Sequence, residues 1–83
     1  MSAHQVTIDI PEKILLAEKM DAETFAREMR VLTAVKLFEL GRLSSGSAAE
    51  LAGMSRVEFL LALGRYGVFP LAKELEDLES AHG

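Results

Sequence analysis

Two kinds of residue in this chain could do chemistry: titratable groups able to move a proton or hold a metal, and a few basic side chains able to meet a phosphate. The histidines are two, His4 and His82, near opposite ends. A histidine-centred base or a metal cluster would have to be assembled from both ends at once, and proton transfer needs its groups within hydrogen-bond reach. Cysteine is absent, which excludes disulfides and thiolate metal sites. Ser44, Ser45 and Ser47 stand where helix-start residues stand, and no base lies near them in sequence to activate a hydroxyl. Gly46 and Gly53 are not followed by the G-K-[ST] of a phosphate-cradling loop. Carboxylates on the predicted helices alternate with Lys and Arg, as solvated faces do. The chain thus reads as a non-enzymatic protein without cofactor, metal or small-molecule substrate.

The basic residues need a closer look, because the net charge of -4 argues against a nucleic-acid partner until it is divided along the chain. Residues 1–41 carry -2, residues 42–72 carry +1, and residues 73–83 carry -3. The middle segment holds Arg42, Arg56 and Arg65 against Glu50 and Glu58. Three arginines on phosphates would give a salt slope of about -3 for one copy and about -5 to -6 for a dimer. That suits a dimer on a repeated site better than a monomer.

Arg56 and Arg65 belong to the stretch SSGSAAELAGMSRVEFLLALGRY, residues 44–66, and Arg42 lies just before it. It predicts a helix over Ser45 to Ala52, a corner at Gly53 and Met54, and a second helix opened by Ser55 with Glu58 in an S-x-x-E capping box. Ala49 is small where two helices cross, and Gly53 supplies the positive φ of a sharp turn. Ala48, Ala52, Met54, Phe59 and Leu63 form the expected apolar seam. Together these features predict a helix-turn-helix. Its outward second-helix positions are Ser55, Arg56, Val57 and Leu60; Arg56 could contact a guanine or a phosphate, and Ser55 a phosphate. Val57 and Leu60 offer a thymine methyl at most, and Leu61 adds another apolar group, so this helix reads as packed as much as presented to a groove.

The elements that must position this pair come before it. Val6, Ile8 and Ile10 alternate with Gln5, Thr7 and Asp9, which predicts a short β-strand. A lone strand leaves its backbone groups unpaired, so the same strand of a second copy is the expected neighbour. Pro11 suits the first position of a helix running to about Lys19. Asp21 caps a longer helix from Ala22 to Leu40 that stops at Gly41. Phe25, Met29, Leu32 and Leu40 lie on one side of it and Val31, Ala34, Val35 and Phe38 on another, which predicts burial on more than one side and again a homodimer. Strand, short helix and longer helix resemble a ribbon-helix-helix order. Under that reading Gln5 could reach a base edge; under the other, the strand only dimerises.

Gly67 closes the second helix of the pair, and Val68, Phe69 and Pro70 form an apolar bend. Leu71, Leu75 and Leu78 then recur at helical spacing among Glu74, Glu76, Asp77 and Glu79. This tail is either a segment that folds on a partner through its leucines or an acidic solubilising end. The expected fold is therefore mainly α, with a short N-terminal β-strand as a ribbon-helix-helix-like dimerisation element, a helix-turn-helix and an acidic C-terminal tail. Residues 1–83 make one domain, divided into 1–41, 42–67 and 68–83. No run of apolar residues suffices to span a bilayer, and a cytoplasmic protein is expected.

The run from Glu28 to Gly67, preceded by the VTIDIPE segment, resembles uncharacterised protein family 0175 of bacteria and archaea, most specifically in LSSGSAAELAGMSRVEFL. The matched motif positions are Ala48 to Ser55 and Phe59. Members are regarded as small antitoxin-like proteins, often paired with a PIN-domain ribonuclease toxin and credited with a DNA-binding helix-turn-helix. The resemblance implies an antitoxin that masks such a toxin and binds operator DNA; the alternative is a helical protein-protein interaction module that never touches DNA. Arg56→Ala is the substitution that separates the two on sequence grounds.

Overall fold

The computed structural model describes residues 3–69. The described residues contain four helices, α1 (Glu12–Glu18), α2 (Ala22–Glu39), α3 (Ser45–Ala52) and α4 (Arg56–Ala62), followed by a 3-10 turn over Leu63–Tyr66. They contain no β-strand. The expected N-terminal strand is therefore corrected. Residues 3–10 are irregular, with Val6 81% and Ile8 57% exposed. Alternating side chains favour extended backbone, but a strand exists only where a second row of backbone groups completes a ladder. Every regular element described after it is helical and has its backbone donors and acceptors committed along its own axis.

Each helix boundary has a local cause. Pro11 stands as the residue before α1, with φ -57° and ψ 137°. Its ring fixes φ, and it lacks only an N–H that a helix start does not use. Lys19 ends α1 in the left-handed conformation at φ 55°, and Met20 N–H donates back to Leu15 O at 3.1 Å. The Asp21 carboxylate accepts from Thr24 N–H at 2.8 Å to start α2. At the other end Arg42 N–H donates to Leu37 O at 2.9 Å across Gly41, whose φ is 74°. Leu40, expected as the last helical residue, is the C-cap.

The core is built by α2, α3 and α4. Ala34 and Val35 of α2, Ala48 and Ala49 of α3, and Phe59, Leu60, Leu63 and Val68 are buried in one cluster. Phe59 and Leu63 are the largest side chains in it that are fully enclosed. Small residues on both α2 and α3 let the two backbones approach, and Phe59 fills the space that this leaves. Phe38 meets Phe59 edge to face, with ring centroids 5.7 Å apart and planes at 90°, an arrangement that matches the positive ring edge to the negative face.

α2 is covered on one side by this packing. Val31 and Phe38 lie against the core with Ala34 and Val35, whereas Leu32 is 47% and Leu40 57% exposed. The first helix stands apart: α1 contributes no buried residue, and Ile14 and Leu16 are exposed.

Candidate interaction surfaces and the turn-linked helix pair

The pair α3 and α4 is shaped by four local devices. Ser44 Oγ accepts from Ser47 N–H at 3.1 Å and opens α3. Gly53 turns the chain at φ 75°, and Met54 N–H reaches back to Ala49 O at 2.9 Å. Ser55 and Glu58 then close a reciprocal box, with Glu58 N–H on Ser55 Oγ at 3.1 Å and Ser55 N–H on Glu58 Oε1 at 3.0 Å. The fourth device spans the two helices: Arg56 Nε donates to Ser45 Oγ at 2.8 Å. Ser45 is 4% exposed, the buried polar residue among the described ones. Its hydroxyl needs a partner inside the fold, and Arg56 provides it.

Two carboxylates of this scaffold have shifted titration. The Asp21 carboxyl is held below its ordinary value by hydrogen bonds from the side chain and then the backbone of Thr24, with a smaller pull from Arg27. Glu58 is likewise lowered, first by the backbone N–H and then by the hydroxyl of Ser55. In both cases donors favour the ionised form. Both belong to helix caps.

The residues that the sequence offers for DNA are dispersed. Gln5 is exposed on the irregular N-terminal segment, Arg42 is exposed between α2 and α3, and Arg65 is exposed in the 3-10 turn. Ser55 is at the start of α4 with its hydroxyl engaged by Glu58 N–H. Arg56 is half-buried and bound to Ser45. Leu60, read from sequence as outward, is 4% exposed and belongs to the core. Phe59 and Leu63 turn inward as the seam requires, Leu60 joins them, and Leu61 is left 71% exposed. Leu71, Leu75 and Leu78 lie outside the described residues.

Sequence reasoning passed over two side chains. Ser45 shares the i, i+3, i+4, i+7 stripe of Ala48, Ala49 and Ala52, and a polar residue on an apolar stripe signals a buried partner. Arg30 donates from Nε to Leu51 O at 2.9 Å, which ties α2 to the last turn of α3. Nothing local marks Arg30 for that role.

Among the described residues, open concavities flank the core. One of ≈ 480 Å³ is lined by Phe38, Leu43, Val68 and Phe69 with Glu39 at its edge, and Glu39 already pairs with Lys36 at 2.9 Å. Another, of ≈ 380 Å³, lies along α4 between Glu58 and Arg65. Among the described residues no group of His, Asp or Glu is arranged to hold a metal ion. No helix among them is long and apolar enough to cross a membrane.

Fold and surface together define a small helical domain built on a turn-linked helix pair, with apolar side chains left outside its core. Comparison of sequences gives the family: residues 1–81 match the uncharacterised protein family UPF0175, and the chain belongs to it. It is similar to a UPF0175 protein of Aeropyrum pernix, with 29% identity over 79 residues covering 95% of this chain and 83% of that protein. It is also similar to a UPF0175 protein of Archaeoglobus fulgidus, with 44% identity over 52 residues covering 63% of this chain and 59% of that one. No solved structure matches the chain.

Proposed function

We propose that this protein acts by covering another protein, as the antitoxin-like member of a pair, and that a PIN-domain ribonuclease is the partner. The observation that carries this reading is α1 with the segment before it. α1 has seven residues and buries none of them. Isolated helices shorter than about 12–15 residues are marginal in water. Val6, Ile8, Ile14 and Leu16 are nonetheless exposed along this part of the chain. A short helix and an irregular segment that carry apolar side chains outward gain their main stabilisation by burying them against a partner. The PIN-domain identity of that partner comes from the family resemblance; the surface argues for a protein.

Operator binding has less support. Arg56 is committed to Ser45, and the exposed part of α4 presents Leu61 and the Glu58 carboxylate. A carboxylate repels phosphate, and leucine has no donor for a base edge.

The test is co-expression with the product of the neighbouring gene, reading copurification and ribonuclease inhibition. The parent chain is expected to copurify and inhibit, and Ile14→Lys with Leu16→Lys to lose both while melting as the parent does. Full inhibition by that variant, or no complex with the parent, refutes the reading. A shift of the upstream DNA fragment that disappears with Arg42→Ala would favour operator binding instead.

A further inference from the structure

We propose that the outward face of α4 is a two-fold contact surface between two copies of this chain. Glu58, Leu61, Ala62 and Arg65 line one groove, with Met54 beside them. Leu61 is 71% exposed although its neighbours Leu60, Ala62 and Leu63 are buried. The ion pairs among the described residues are Glu23 with Arg27 and Lys36 with Glu39, so Arg65 pairs with none of them. The Ser55 bond uses Glu58 Oε1 and leaves Oε2 for another donor.

The order of these residues selects the occupant. The acid lies towards the start of α4 and the base just beyond its end, at equal sequence distance from the junction of Leu61 and Ala62. A second copy laid antiparallel across that junction places Glu58 opposite Arg65 of the second copy, and Arg65 opposite its Glu58. Leu61 then meets the small Ala62 of the second copy. A parallel copy would set like charges against each other. An isologous contact requires a surface complementary to itself under a two-fold rotation, and the order of charges on this face satisfies that requirement. DNA does not fit, since the face combines a carboxylate with a leucine.

One helix crossing is smaller than the roughly 1,200 Å² of a stable interface, so self-association in the micromolar range or weaker follows. This contact is separate from the α1 surface, and Ile14→Lys with Leu16→Lys leaves it intact.

Sedimentation equilibrium of the full chain from about 5 to about 500 µM, a span that brackets such affinities, reads the contact. The parent is expected to move from one chain towards two as concentration rises, and Leu61→Lys to stay monomeric with an unchanged circular-dichroism spectrum. Arg65→Glu alone and Glu58→Arg alone place like charges together at both positions and should be monomeric. Mixed in equal amounts, the two variants present opposite charges at both positions and should associate. A parent that stays monomeric throughout, an undiminished dimer of Leu61→Lys, or a mixture of folded variants that stays monomeric overturns the proposal. Should Glu58→Arg unfold through loss of the helix cap, Leu61→Lys and Arg65→Glu decide: undiminished association of either overturns it.

Discussion

Arg56→Ala removes the donor that satisfies a buried hydroxyl. Arg56 Nε lies 2.8 Å from Ser45 Oγ, and Ser45 is 4% exposed, so the substitution takes the donor from a hydroxyl that the fold itself shields from water. A hydrogen bond to a charged group is worth about 1.5–3 kcal/mol, and stranding its buried partner costs a similar amount. For a domain of this size each kcal/mol moves the melting temperature by about 4–8 °C, so a fall of roughly 6–24 °C is expected. Thermal melts followed by circular dichroism measure it. A double-mutant cycle with Ser45→Ala isolates the shared part, because the double variant strands nothing and should recover part of the loss. A melt within about 2 °C of the parent, or strictly additive single effects, would refute the assignment. The result also bears on DNA binding. Loss of a gel shift by Arg56→Ala would report a loosened helix pair as readily as a lost base contact, which makes Arg42→Ala the cleaner test.

Gly53→Ala should destabilise by about 1–2 kcal/mol, because φ 75° is left-handed while a Cβ there meets nothing within 4 Å; urea unfolding with an unchanged m-value would confirm that only backbone strain is involved. The lowered carboxyls of Asp21 and Glu58 set an acid limit. Groups with depressed folded values contribute stability that is fully present above their ordinary range, near pH 4, and lost as pH falls through the folded values. The melting temperature should hold from about pH 7 to about pH 5 and fall below about pH 4, and Asp21→Asn should flatten part of that fall; a midpoint above about pH 5 would contradict it.

Helix boundaries were legible because their causes are local. Asp21, Ser55 with Glu58, and Gly53 each act within a few residues of themselves, so spacing alone carries the signal. The N-terminal segment was misread for the opposite reason. Val6, Ile8 and Ile10 have the alternation of a strand, but whether a strand forms depends on a partner row that no local pattern guarantees. Leu60 and Leu61 show the same limit on a smaller scale, since both are leucines on a helix apolar nearly all round and only the packing of the core cluster makes one core and the other surface.

Fixed by the sequence were where each helix begins and turns, and that the chain holds more apolar helical surface than its core encloses, since caps, glycines and composition act without reference to distant residues. Tertiary structure decided which apolar residues face inward, joined Arg56 to Ser45 across eleven positions, and left Leu61 between Glu58 and Arg65 on an open face. These depend on how α2, α3 and α4 approach in space, and side chains far apart in the chain acquire partners only once that packing brings them within reach.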